Sequence, residues 1–194
     1  ASRMLAELAG YGEDDILKIT TGAMLHDIGK TGIPVSILES PNRLNKDEME
    51  IMRTHVDMTD KIISDNVDAD IKQIAVQHHE KLNGSGYPKQ LGAIDIILPG
   101  RIVSIADIFS ALTNARSYKG VYSKERTISI FEDMSAEGLI DPEIVSLLIN
   151  NYDSILKELD AVSQPVIEAY NKLNEEFTQI LENVKSSRFD SIVI

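Results

Sequence analysis

Apolar residues recur at steps of three and four along most of the chain, and strict alternation of apolar and polar positions is scarce. The pattern predicts an all-α fold. Glu13-Asp14-Asp15 puts acid at the start of a helix that carries Ile16, Leu17, Ile19, Ala23 and Met24 towards His26. Gly29, Gly32 and Pro34 then interrupt it. Asn45 with Glu48 three residues on has the spacing of a capping box. It opens a helix whose apolar stripe runs from Met49 through His55 to Ile63. A further helix is expected over 68–79, with Ile71, Ile74, Ala75 and His78 on one face. An irregular stretch, 80–99, precedes an apolar helix over 100–114. Ser123 caps the next helix. Asp141-Pro142, a cap followed by proline at the first helical position, opens another that runs to about Leu159.

The C-terminal stripe comprises Ile155, Leu159, Val162, Val166, Tyr170, Leu173, Phe177, Ile180 and Val184. Pro165 interrupts it, so a new helix is expected after Ser163. Two readings stay open, a helix packed on its own domain and a dimerising coil. The expected organisation is a helical domain over 1–159 and an amphipathic extension over 160–194. The chain opens mid-helix on Ala1 and Ser2, as a fragment lacking an upstream part would.

Composition narrows the class. The chain has 194 residues and 43% hydrophobic positions, which suits a folded domain and excludes a disordered tail. It has no cysteine, which excludes disulfides, thiol catalysis and cysteine-ligated zinc, and fits a cytoplasmic setting. No stretch has the length of apolar residues that a membrane span needs. A net charge of -12 argues against DNA and membrane surfaces as partners. A small phosphorylated ligand then needs local cations or metal ions that reverse the field.

The four histidines, His26, His55, His78 and His79, each lie at the end of an apolar helical pattern or on its stripe. A single histidine there is ordinarily a hydrogen-bonded core residue. Four of them, each beside an acid or another histidine, point to a shared site. His26 and Asp27 combine imidazole and carboxylate, a ligand set for manganese, iron, cobalt, nickel or zinc. Lys30 lies one turn on. His78 and His79 are expected to face different ways and so to serve different ions. Asp107 is a carboxylate in the middle of an apolar helix. Burial without a cation costs several kcal/mol, so it needs a metal ion or a salt bridge to Arg101 or Arg116. Arg116 and Lys119 flank Ser117-Tyr118 and read either as an anion clamp or as solvated surface.

Read together and in order, these motifs resemble the HD-GYP domain, a branch of the HD metal-dependent phosphohydrolases. The resemblance covers roughly 2–150. It rests on His26-Asp27-Ile28-Gly29-Lys30, His55, His78-His79-Glu80, Gly84-Ser85-Gly86-Tyr87-Pro88, Arg101-Ile102-Val103, Ala106-Asp107 and Arg116-Ser117-Tyr118-Lys119. It implies an HD-type helical bundle with extra helices that hydrolyses cyclic di-GMP to linear pGpG, and to GMP in some cases. It implies two or three divalent metal ions, iron or manganese, held by His26, Asp27, His55, His78, His79 and Asp107, with Asp27 bridging. Lys30 corresponds to the lysine beside the scissile phosphate, and Arg116 and Lys119 to phosphate-binding residues. Tyr87 and its Gly-Tyr-Pro loop correspond to a segment that shapes the site and contacts partner proteins such as a GGDEF-type cyclase.

The chain departs from the family pattern in several places. A further ligand expected upstream of residue 2 is not in the chain. Asn83 replaces an acid, Ser110 replaces a second acid, Met58-Thr59 stands where a small residue is usual, and Gln90 stands where glycine is common. These departures favour, as the alternative, a degenerate module that binds a cyclic dinucleotide or a cyclase without turnover. A general nucleotide phosphohydrolase is a third reading, against which the Gly-Tyr-Pro loop speaks.

Overall fold

The computed structural model describes residues 1–64, 66–113 and 122–190. Every regular element among them is helical. In chain order these are α1 (Ser2–Leu8), α2 (Glu13–Leu25), a 3-10 turn η1 (Ile28–Gly32), α3 (Val35–Leu38), α4 (Lys46–Arg53), α5 (His55–Ile63), α6 (Ala69–Val76), α7 (Leu98–Thr113), α8 (Lys124–Ala136), α9 (Pro142–Asn150) and α10 (Tyr152–Asp190). Two compact units result, Ala1–Asn151 and one that starts at Tyr152. The division expected at 159/160 falls inside α10.

The all-α expectation holds, and the caps are where the sequence puts them. Asn45 and Glu48 form the complete capping box of α4. Ser123 accepts from Arg126 N at the start of α8. Asp141 accepts from Glu143 N and Ile144 N ahead of Pro142. α2 has glycine at its N-cap and relies on its acidic first turn instead.

α7 organises the first unit, packing on α1, α2, α6, α8 and α9. Its Ile102, Val103, Ile105, Ala106 and Phe109 are buried with Leu5, Ala6, Phe131 and Leu148. Each such large side chain contributes about 1.5–3 kcal/mol by leaving water. Gly22 lets α2 close on α6, since a Cβ there would lie 2.5 Å from Ile74 Cγ2. Gly29 plays the same part between η1 and α5, where a Cβ would collide with His55 O and Thr59 N.

Three boundaries differ from the sequence pattern. The helix expected through 45–63 is two helices meeting at Thr54, whose backbone N–H and hydroxyl both donate to Ile51 O. The helix expected over 68–79 stops at Val76. There the Gln77 side chain donates to Asp95 O and accepts from Ile97 N, tying the chain to a distant loop. The helix expected from 141 to 159 ends at Asn150. Asn151 Nδ2 caps the Leu147 carbonyl there, and α10 begins at Tyr152. The break expected at Pro165 does not occur, because α10 continues through it. The proline removes one N–H from a helix with 39 residues, and the turns on either side keep theirs.

Candidate metal centre

Three of the four histidines are fixed by one local rule. His26 Nδ1 donates to Ala23 O at 2.6 Å, His55 Nδ1 to Met52 O at 2.7 Å and His78 Nδ1 to Ala75 O at 2.7 Å. Each histidine follows a helical turn and bonds the carbonyl three residues back. That bond places a proton on Nδ1 and turns Nε2 inward, the nitrogen through which imidazole ligates a metal.

The inward atoms converge. His26 Nε2 lies 3.3 Å from Asp27 Oδ2 and 3.6 Å from Asp107 Oδ1. Asp27 Oδ1 lies 3.5 Å from His55 Nε2 and 3.9 Å from His78 Nε2. His55 Nε2 and His78 Nε2 are 3.4 Å apart. Two sets of three donors result, His26-Asp27-His78 and His55-His78-His79, each with its atoms within 4.8 Å of one another. His78 belongs to both. The expectation that His78 and His79 face different ways is corrected: their rings lie 4.0 Å apart within one set. Beyond Val76 the chain has left the helix, so the helical 100° between neighbours no longer applies.

The donors fit a metal on evidence internal to the fold. His26 Nε2 and Asp27 Oδ1 are buried and have no hydrogen-bond partner. The facing Nε2 atoms of His55 and His78 both carry lone pairs, so neither can donate to the other. Buried polar atoms left unpaired in this way are costly, and a divalent cation in place of the His26 proton satisfies all of them. Imidazole with carboxylate is the donor set of iron, manganese or zinc.

The electrostatics agree. Burial disfavours the His26 imidazolium, but the Asp107 and Asp27 carboxylates outweigh it and push the pKa up to about 10. Burial opposes the Asp27 charge as well, yet His26 and Lys30 hold its carboxyl well below the usual range. Asp107 is lowered too, His26 again outweighing burial. Burial depresses His55 and takes His78 down to about 4. It also depresses His79, with His78 and His55 adding to the effect. Three imidazoles are therefore neutral and both carboxylates ionised, the forms that bind metal. The His26 proton stands in for a cation.

The other predicted residues fall as follows. Lys30 Nζ donates to Asp27 Oδ2 at 2.5 Å. Asp107 reaches the cluster from α7 and makes no salt bridge to Arg101, which instead donates to Asp141 Oδ2 at 2.9 Å. Tyr87 stacks on His79 with ring centroids 4.7 Å apart, and its N–H donates to His79 O. Arg116 and Lys119 lie outside the described residues. Ser110 lines a cleft of about 240 Å³ beside His26, Asp27 and Asp107.

Several working residues gave weaker signals. Glu80, quoted only as part of a motif, is buried and accepts from Lys89 N and Leu91 N, which holds the Gly-Tyr-Pro loop. Arg53 gave none; its guanidinium sits 5.1 Å from the Tyr87 ring centroid. Asn83 supplies its Oδ1 to Ser85 N and Oγ, a role any Asx side chain fills. Gln90, standing where glycine is common, has φ +55°, the left-handed region that glycine favours.

Comparisons with known proteins follow this geometry. The HD domain family model matches residues 1–144. The chain is 39% identical over 157 residues to 3'3'-cGAMP-specific phosphodiesterase 2 of Vibrio cholerae, covering 78% of this chain and 30% of that protein. It is 36% identical over 149 residues to the cyclic di-GMP phosphodiesterase response regulator RpfG of Xanthomonas campestris, covering 75% of this chain and 39% of the relative. The chain thus spans well under half the length of these curated relatives. Its fold is similar to Bd1817, an HDG"Y"P protein of Bdellovibrio bacteriovorus, with TM-score 0.62 at 21% identity over 77% of this chain and 48% of that one. It is also similar to the HD domain of the L. monocytogenes phosphodiesterase PgpH, solved with cyclic-di-AMP, with TM-score 0.59 at 20% identity, covering 83% and 85%. No helix among the described residues is long and apolar enough to cross a membrane.

Proposed function

The chain belongs to the HD domain family, and on that premise we propose that it is a metal-dependent phosphodiesterase that opens cyclic di-GMP to linear pGpG in the cytoplasm. The observation that carries the reading is the convergence of four histidines and two aspartates on one spot, with the buried Asp27 Oδ1 at its centre lacking a hydrogen-bond partner. The printed activities of the relatives, cyclic di-GMP and 3'3'-cGAMP phosphodiesterases, supply the substrate class.

His26, Asp27, His55, His78, His79 and Asp107 would hold the divalent ions, iron or manganese, with each imidazole giving its one free nitrogen to a single ion. Bound there, the ions supply Lewis acidity and a water of lowered pKa. The chain's own residues do the rest. The carbonyls of Ala23, Met52 and Ala75 keep three imidazoles in the ligating tautomer. Lys30, held on Asp27, faces charge that grows on the phosphoryl oxygens. As water adds to phosphorus and the P–O3′ bond breaks, the Lys30 ammonium gives its proton to the departing 3′ oxygen. Arg116 and Lys119 grip the phosphates. Tyr87, backed by His79 and Arg53, forms the rim of the site and the contact for a cyclase partner.

The test is incubation of the iron- or manganese-loaded protein with cyclic di-GMP, 3'3'-cGAMP and cyclic di-AMP. Linear product from cyclic di-GMP is expected; no product with bound metal overturns the reading. Asp27→Ala and His78→Ala should each lose metal by elemental analysis. Lys30→Ala should keep it and lose ~10²-fold or more in kcat, the scale of a general acid. Ser110 favours a second reading, binding without turnover, because it presents a hydroxyl to the cleft where a carboxylate is expected. Binding of cyclic di-GMP with no product supports that one.

A further inference from the structure

From Val162 onward α10 carries a row of large apolar side chains that nothing described covers. Val166, Tyr170, Leu173, Phe177, Ile180 and Val184 are 68, 64, 64, 60, 58 and 49% exposed. Their spacing alternates strictly between four and three, the seam of a left-handed coiled coil rather than the broader stripe of a helix lying on a core. Val162, Ile167 and Leu181 flank the seam and are exposed as well. The nine side chains form one continuous apolar strip along the helix. Monomers rarely leave so large a patch open.

The geometry points to a second copy of this chain as the occupant, paired with α10 parallel and in register. The charges select it. With Val166, Leu173 and Ile180 at d and Tyr170, Phe177 and Val184 at a, the acids Glu158, Glu168, Glu175 and Glu182 fall on the outward positions. Glu176 is the acid at the seam's edge, and in the parallel register it meets Leu181 of the other copy. Two acidic helices therefore pair without a like-charge contact across the seam. Glu176, at the seam's edge, sets direction. Antiparallel overlap of the seam would set Glu176 against Glu176 of the other copy, a like-charge contact that parallel pairing avoids. The pairing is independent of the phosphodiesterase reading.

The experiment is light scattering on the full chain after size exclusion. A mass twice the 21.5 kDa of one chain is expected. Leu173→Glu with Ile180→Glu should halve it and leave metal content and turnover unchanged. The chain has no cysteine, so Ile180→Cys gives a direct reading of register: mild oxidation should link two copies, while Gln179→Cys on the outer face should not link. A monomeric wild type, a trimer or tetramer, or linkage through Gln179→Cys as efficient as through Ile180→Cys overturns the proposal. A monomer would mean that the seam is covered within the chain or by a different protein. If the double variant does not fold, the cysteine pair decides alone.

Discussion

His26 is the residue whose protonation the fold controls most. Its pKa of about 10 means the metal-free protein carries that proton throughout the neutral range. His78, depressed to about 4, is already neutral there. Metal arriving at His26 must therefore expel about one proton, and nothing comparable is released at His78. Affinity should rise roughly tenfold per pH unit as pH approaches 10 and be lost as pH falls through 4, where His78 also charges. Calorimetric titration in buffers of different ionisation enthalpy measures the proton count; zero protons released at pH 8 contradicts the assignment. At this scale the clustered side chains were legible because imidazole is rare here and each one adjoins an acid or another imidazole. Arg53 was not, and Thr59 stood out only as a departure from the family pattern, not for its role. Their partners, a tyrosine ring and two backbone groups, lie some thirty residues away and leave no local pattern.

Among the elements, cap chemistry was readable because it is local: Asn45-Glu48, Ser123 and Asp141-Pro142 each act within three residues. The ends of α6 and α9 were misjudged because Gln77 and Asn151 spend their amides on carbonyls and N–H groups that periodicity does not register. The Gly-Tyr-Pro loop depends on one such long reach. Glu80 neutralises the N–H groups of Lys89 and Leu91 from the far side of the loop. Glu80→Ala should strip both and cost about 3 kcal/mol of stability, since bonds to a carboxylate run to ~1.5–3 kcal/mol each. Tyr87 then loses its seat on His79. Chemical denaturation measures the cost, and faster amide exchange at Lys89 and Leu91 localises it.

For the whole molecule, the site is a join between segments far apart in sequence: the end of α2, the start of α5, the turn after α6 and the middle of α7. Metal should therefore hold the first unit together as well as serve chemistry. At a thousandfold excess over its Kd a bound ion contributes about 4 kcal/mol, which shifts the midpoint of a chain this size by about 10 °C. Chelation should lower the calorimetric midpoint by that order, and an unchanged midpoint would separate the cluster from stability. The family fold was legible as a whole because its motifs come in order; the C-terminal helix was legible as an apolar stripe, but its passage unbroken through Pro165 was not. Thr59 sits at the hub of the join. Its hydroxyl donates to His26 O and accepts from Gly29 N, each at 3.0 Å, and it occupies the position where a small residue is usual. One side chain that binds nothing itself thus acts as the keystone between two arms, setting how far they stand apart before any guest arrives. Arms tied at one such point move only together, so a change at Thr59 is felt on both.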